Sequence, residues 1–226
     1  MIKLKSINKY YSSGEEKLHA LKNVDLDVKN GEFLAIIGPS GSGKSTMIKI
    51  LGLLDKHFGG EYLFNGKNIK DLDDDSLSKL RNKSIGFVFQ DFNLINRLTV
   101  RENIELPMIY NGVKKKKTKD RVGELLEKIN LKEKIDKYPN QLSGGQQQRI
   151  SIIRSLVNNP DLIIADEPTG ALDSKTSKEI INIFKELNEE GITIILITHD
   201  INVAKQAKRI VEIFDGELRE VENNAI

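Results

Sequence analysis

The chain alternates between short apolar runs, each closed by glycine, asparagine or an acidic residue, and longer stretches with helical periodicity. Phe33-Leu34-Ala35-Ile36-Ile37, Gly86-Phe87-Val88-Phe89, Leu162-Ile163-Ile164-Ala165 and Ile192 to Ile197 are apolar almost throughout, as strands covered on both faces are. Ile2 and Leu4, and later Val24, Leu26 and Val28 alternating with Asp25 and Asp27, read instead as half-buried strands. Asn30-Gly31, Asn65-Gly66 after Tyr62 and Phe64, and Asp215-Gly216 after Val211 and Ile213 are two-residue hairpin signals. These patterns predict antiparallel strands around a parallel core whose last strand is Ile192 to Ile197. In such an α/β fold ligands gather at the carboxyl ends of the strands. Gln90, Asp166, Glu167 and His199 all fall at those ends.

Between the strands, Met47 to Leu54 is apolar nearly all round, as a buried helix would be, and Asp73-Asp74-Asp75 reads as the capped, acidic first turn of another helix. Ser177 to Glu190 places Ile180, Phe184 and Leu187 on one stripe, with Gly191 as the stop signal. From Asp91 to about Val157 the pattern is helical with charged faces and no convincing strand. This predicts a helical sub-domain, 91–157, inserted into a core formed by 1–90 and 158–226. Lys114 to Lys117, beside Asn111-Gly112, is most simply a solvated loop and helix start, with attraction to an anionic membrane surface as the functional alternative. No internal repeat is visible, and only the last few residues read as a tail.

At 226 residues the chain suits one good-sized domain with its own core. Its 35 basic and 33 acidic residues leave a net charge of +2, which gives no reason to expect non-specific binding to nucleic acid. The absence of cysteine excludes disulfides, thiolate catalysis and cysteine-ligated metals, and agrees with a cytoplasmic address. No run approaches the roughly 18 apolar residues of a membrane span, and Met1 to Lys5 lacks the apolar core of a signal peptide. Work at a membrane would therefore need another chain to hold this one there.

The candidate chemistry centres on Gly38-Pro39-Ser40-Gly41-Ser42-Gly43-Lys44-Ser45-Thr46, which fits the phosphate-loop pattern G-x-x-x-x-G-K-[ST] between a strand and a helix. Glycines allow a sharp turn that aims successive N–H groups into a concavity, and the positive end of the following helix adds to the attraction for phosphate. Lys44 supplies a charge for the terminal phosphates, and the Ser45 hydroxyl is placed to ligate magnesium. Asp166 and Glu167, in succession after a buried strand, point in different directions, so one can serve the metal and the other the attacking water. Leu142-Ser143-Gly144-Gly145-Gln146 precedes a helix, and Ser143 and Gln146 have the spacing of a capping box. The two glycines beside that cap would also let a ligand approach a helix N-terminus, making a second anion site. Two half-sites for one phosphate chain suggest a homodimer that pairs head to tail around two nucleotides.

Taken together, Gly38 to Thr46, Gln90, Leu142 to Gln146, Leu162 to Glu167, Ala171-Leu172-Asp173 and His199 resemble the ATP-binding subunit of an ATP-binding cassette (ABC) transporter over essentially the whole chain. The run Asp166 to Thr176 is similar to the subgroup of lipoprotein-release, macrolide and peptide-antibiotic exporters, which includes a cell-division cassette. The resemblance implies a P-loop NTPase (RecA-like) α/β core with an antiparallel β sub-domain and a helical sub-domain. It implies ATP and Mg2+ as cofactors, an ATP-dependent homodimer, and a separate transmembrane permease at the cytoplasmic face of the membrane. Tyr11 matches the aromatic that stacks on adenine, although a packed strand residue reads the same and Tyr10 is the alternative. Lys44 would contact the β and γ phosphates, with Ser45, Gln90 and Asp166 around magnesium. Glu167 would act as general base or water positioner, and His199 would contact the γ-phosphate. Ser143, Gly144, Gly145 and Gln146 would touch the nucleotide held by the other subunit, with Asp173 in the loop that crosses the dimer. The implied task is export or membrane extraction of a peptide, lipoprotein or drug. Force transmission as in the cell-division relative, and a soluble cassette acting on DNA or ribosomes, are the competing readings.

Overall fold

The computed structural model describes residues 1–14 and 16–221, so the terminal tail lies largely outside the described residues. Two sheets organise the chain. The first holds β2 (Glu16–Val28), β1 (Ile2–Ser13), β4 (Gly59–Phe64) and β5 (Lys67–Asn68), all antiparallel neighbours in that order. The second has the order β10-β9-β3-β8-β7-β6, made of β3 (Phe33–Ile37), β6 (Ile85–Phe89), β7 (Leu162–Asp166), β8 (Thr193–Ile197), β9 (Arg209–Phe214) and β10 (Glu217–Val221). All its pairings are parallel except that of β9 with β10.

The apolar runs of the central strands divide residue by residue between two cores, as a period of two requires. Leu34 and Ile36 of β3 face a core with Ile164, Ile197, Tyr62, Phe64 and helix α1 (Lys44–Leu51). Phe33, Ala35 and Ile37 face the opposite core with Ile163 and Leu196. On that side lie α3 (Val100–Tyr110), α4 (Lys115–Lys128), α5 (Gly144–Leu156) and α6 (Ser174–Glu189). Helix α2 (Asp74–Ser84) precedes β6, with Asp73 capping it by accepting from the Ser76 amide, and α7 (Ile201–Ala204) follows β8. Between β6 and β7 the described residues form helices and turns and no strand.

Three local expectations need correction. Asn30-Gly31 is not a hairpin, because β2 and β3 belong to different sheets; Gly31 keeps the left-handed φ of 70°, but the turn carries the chain from one layer to the next. The reason lies in the flanks: β2 has one polar face, whereas β3 is apolar on both and fills the centre of the second sheet between β9 and β8. Thr193–Ile197 is not the last core strand, since β9 pairs in parallel with β3 while also forming the Asp215-Gly216 hairpin with β10. The helix expected over Met47 to Leu54 stops at Leu51, where Gly52 caps it and Leu53 turns left-handed (φ 56°). The buried Tyr62 hydroxyl donates to the Leu51 carbonyl (2.9 Å), satisfying a terminal acceptor of that helix.

Candidate active site

Strands β3, β6, β7 and β8 end at one level, because Phe89 pairs with Asp166, Asp166 with Ile197, and Ile197 with Ile36. The residues that follow therefore emerge along a single sheet edge: Gly38, Gln90, Glu167, and Thr198-His199.

Gly38 to Gly43 wrap the start of α1. Gly43 adopts φ 113°, and a Cβ there would lie 2.7 Å from the Ala20 carbonyl of β2. A Cβ on Gly38 would lie 2.2 Å from the Ile213 carbonyl of β9, so both sheets press directly on the loop. The Ser42 carbonyl accepts from the Gly216 amide (2.9 Å), which ties the loop to the β9–β10 turn. Ser40, Gly41 and Ser45 are exposed, Thr46 is buried, and the buried Ser42 hydroxyl has no partner among the described residues. The Lys44 ammonium donates to the carbonyls of Gly38 (2.7 Å) and Pro39 (2.8 Å), folding back over its own loop.

The two carboxylates differ in their surroundings. Asp166 ends β7, and burial, reinforced by the neighbouring Glu167 and opposed by Lys44, raises its carboxyl above the usual carboxylate range. Glu167 adopts φ 45°, unusual for a residue with a side chain, and its amide donates to the Ile197 carbonyl (2.8 Å). Its Oε1 accepts from the His199 amide (2.9 Å) and lies 2.7 Å from His199 Nδ1, and its Oε2 accepts from the Thr198 hydroxyl (3.0 Å). Thr198 fixes the half-buried carboxylate from below, while His199 remains exposed. Gln90 is also exposed, and its amide lies over Gly170, where a Cβ would come within 3.0 Å of Nε2.

Ser143 caps α5 through a complete capping box with Gln146, the two backbone–side-chain bonds being 3.3 and 3.0 Å. Gly145 has an intramolecular use, since a Cβ there would meet Thr176 Cγ2 at 2.5 Å. Thr176 is held in turn by Asp173, which caps α6 and accepts from the Thr176 hydroxyl at 2.6 Å. These bonds keep the Asp173 carboxyl below the usual range. Among the described residues no hydrogen bond joins Ser143, Gly144, Gly145 or Gln146 to the phosphate loop. Tyr11 and Tyr10 are distinguished by the strand: Tyr10 is exposed and stacks on His19 (ring centroids 4.0 Å apart), whereas Tyr11 is half-buried with the Lys9 ammonium 5.1 Å from its ring centre.

Sequence reasoning missed Thr198, Gln148 and Lys9. Gln148 is fully buried, and its amide donates to the carbonyls of Phe89 (3.3 Å) and Pro168 (2.6 Å), joining the strand ends that carry Gln90 and Glu167. Its one available signal was a polar residue in register with the apolar stripe of α5. Lys9 is buried against Asp55 (2.7 Å), and nothing in the alternation of β1 marked it as more than a surface lysine.

A family model described as "ABC transporter" matches residues 21–170. An ABC transporter ATP-binding protein, MJ0796 of Methanocaldococcus jannaschii, is 53% identical, with 98% of this chain and 97% of that protein covered. The macrolide export ATP-binding/permease protein MacB of Aggregatibacter actinomycetemcomitans is 48% identical over 96% of this chain, which corresponds to 34% of that longer protein. Among solved structures, a dimeric post-hydrolysis state of the MJ0796 cassette bound to ADP and Pi superposes with a TM-score of 0.89 at 50% identity, covering 98% of this chain and 99% of that one. The phosphate loop, the paired carboxylates and the Leu142–Gln146 turn thus stand in a chain that belongs to the ABC transporter ATP-binding family, whose members are ATPases.

Proposed function

We propose that this chain hydrolyses ATP as one half of a homodimer and that the cycle drives a separate membrane permease, in the direction of export or membrane extraction. The observation that carries the catalytic part is the Glu167 carboxylate, fixed by Thr198 and His199 at the sheet edge shared with the phosphate loop. In this reading the triphosphate exchanges the Gly38 and Pro39 carbonyls for its own oxygens on Lys44, and Tyr11 stacks on the base. Glu167 aims the attacking water and accepts its proton, and His199 contacts the γ-phosphate. Ser143, Gly144, Gly145 and Gln146 meet the nucleotide of the other subunit, and Asp173 lies at the crossing point.

The residues present fit magnesium. Ser45, Gln90 and Asp166 offer oxygen donors at one edge, and among the described residues no group of three or more His, Cys, Asp or Glu side chains forms a metal cage. That suits an ion held by a single carboxylate and neutral oxygens together with substrate phosphates. Bound there, it would neutralise charge on the phosphates. The raised Asp166 carboxyl is a group whose ionised form gains from such a neighbour.

No helix among the described residues is long and apolar enough to cross a membrane, so the link to a permease falls to a surface. A groove of about 690 Å³ lies between α2, β6 and the helical segment, lined by Leu54, Asn82, Phe87, Tyr110, Asn111 and Arg154. Arg154 also holds the Phe92 and Asn93 carbonyls just after Gln90, and we assign this groove to the permease. Similarity to MacB supports export. The test is the solution mass of Glu167→Gln with magnesium-free ATP and with ADP. A shift to dimer with ATP alone is expected, with hydrolysis slowed by roughly 10² to 10⁴ once magnesium is added. A variant that turns over near the wild-type rate would remove Glu167 from its role.

A further inference from the structure

Lys114, Lys115, Lys116, Lys117 and Lys119 stand within six residues, and without these five the chain's net charge of +2 becomes −3. Within 114–119 no acidic residue offsets them, so the junction of α3 and α4 carries a dense run of positive charge. Lys114, Lys116, Lys117 and Lys119 are exposed, and among the described residues none of these four forms an ion pair. They do not serve their own helix, because the first turn of α4 contains no acidic residue and cations there oppose its dipole.

The corner is rigid. Thr118 is fully buried and donates to Glu105 of α3 (3.0 Å), and the Val113 amide donates to the Met108 carbonyl (3.1 Å). The Pro107 carbonyl accepts from Asn82 (3.1 Å) and Asn158 (3.2 Å), fixing α3 to the rest of the chain. At its tip two apolar side chains project: Ile109 is 55% exposed and Tyr110 76% exposed. Lysines beside a protruding aliphatic and an aromatic side chain match the headgroup region of a bilayer, where ammonium groups meet phosphates and the apolar groups enter the acyl boundary. Tyr110 and Asn111 also line the groove between α2 and the helical segment, so the corner flanks the face that we assign to the permease.

We propose that the α3–α4 corner binds anionic lipid headgroups directly, with Lys114, Lys116, Lys117 and Lys119 as the electrostatic contact and Ile109 as an apolar anchor. The lipid contact is separate from ATP hydrolysis and needs no nucleotide. It orients the groove toward a membrane-embedded partner.

The test is co-sedimentation of the whole chain with vesicles of equal parts phosphatidylglycerol and phosphatidylcholine, and with pure phosphatidylcholine. Binding to the anionic vesicles alone, weakening steeply with salt, is expected. Each lysine near such a surface is worth about fivefold, so the fourfold Gln variant of Lys114, Lys116, Lys117 and Lys119 should bind on the order of 10²- to 10³-fold more weakly. Ile109→Ser should weaken binding about tenfold without changing its salt dependence. The Gln variant should keep its ATPase activity and its thermal midpoint, because its lysines are solvated. Equal binding to both vesicles, retention by the Gln variant, or equal loss in a Lys132→Gln/Lys134→Gln control would overturn the proposal. So would lysine-dependent binding to a DNA duplex with none to vesicles. None of these outcomes bears on Glu167 or the dimer, so this proposal and the ATPase reading fail separately.

Discussion

Gly145 offers a sharp test of why the Leu142–Gln146 turn has its residues. If glycine is there only to let a nucleotide approach, Gly145→Ala should leave the single chain as stable as before, or more so, because alanine favours helix by up to about 1 kcal/mol. The packing says otherwise. The new Cβ would lie 2.5 Å from Thr176 Cγ2, about 1 Å inside ordinary contact, and Thr176 is not free to turn aside. Its hydroxyl donates to Asp173 Oδ2 at 2.6 Å and its amide to Oδ1 at 3.0 Å. Rotation would break the hydrogen bond to the Asp173 carboxylate, and shifting α5 away from α6 carries the usual overpacking cost of about 1–3 kcal/mol. Set against the helix gain, the net is a loss of about 1–2 kcal/mol, or about 3–6 °C in thermal midpoint for a chain of this size. Thr176→Ser removes Cγ2 and keeps the hydroxyl, so it should rescue Gly145→Ala. Thermal and urea denaturation of the wild type, both single variants and the double variant should give a coupling of about 1–2 kcal/mol. Strict additivity would refute the packing argument and return Gly145 to a purely ligand-directed role.

Asp166→Asn should raise the thermal midpoint at neutral pH while abolishing hydrolysis. Burial and Glu167 raise the Asp166 carboxyl, so the ionised form destabilises the fold above the ordinary carboxylate range, and the gain should vanish as pH falls through that range. Lys9→Met should destabilise by about 1–2 kcal/mol at neutral pH, because it leaves the partly buried Asp55 without its ion partner. Burial alone would push Asp55 up, but Lys9 and the His57 amide together hold it below its ordinary value. Wild-type stability from this pair is therefore present above the carboxylate range and lost as pH falls through the lowered value, whereas the Lys9→Met penalty shrinks in acid; a pH-independent penalty would exclude the ion pair as its cause. Gln148→Leu should raise the magnesium concentration for half-maximal hydrolysis several-fold and leave ATP affinity in chelator unchanged; equal change in both would mean that Gln148 acts only through general stability.

What could be read in the sequence follows from how locally each feature is determined. Runs such as Leu162 to Ala165 announce strands buried on both faces because no other element tolerates them, and the residues after such runs must then sit at one sheet edge. Asn65-Gly66 and Asp215-Gly216 were readable because a two-residue hairpin is defined by its own dihedrals; Asn65 and Asp215 do take the left-handed region, at φ 48° and 47°. Asn30-Gly31 carries the same signal and makes a different connection, because sheet membership is decided by what lies across from β3. That β9 joins the core could not be read, since a pairing of Ile36 with Val211 links residues far apart in the chain. The supporting residues were hidden for a related reason. Gln148 is one of three consecutive glutamines, and beyond its register with the apolar stripe of α5 it is set apart by the approach of Phe89 from β6 and Pro168 from the turn after β7. Lys9 gains its meaning from Asp55, and Thr176 from Gly145, across separations that no local pattern reports.

Helix α5 brings these supports together. Its first turn carries Ser143 to Gln146 and rests on Thr176; Gln148 holds the end of β6 before Gln90 and the turn after Glu167; its last turn, through Arg154, holds the Phe92 and Asn93 carbonyls, the Phe92 bond being 2.9 Å. Those last two acceptors belong to consecutive left-handed residues, φ 60° and 49°, a conformation that a non-glycine pair keeps only when it is tied down. Burial pulls the Arg154 guanidinium down to about 10, so it stays charged at neutral pH. Ser155 closes the contact from the other side, since its carbonyl would be 2.6 Å from a Cβ on Gly86 of β6. With no slack at Gly86 and donors fixed at Gln148 and Arg154, α5 cannot shift against the sheet without dragging the segment around Gln90 or breaking these bonds. In the proposed reading, ATP at one end of α5 and the permease at the other bias the position of this helix, and each then changes the affinity of the other by the same factor. The four polar ties of Gln148 and Arg154 are the contacts through which that proposed coupling would run.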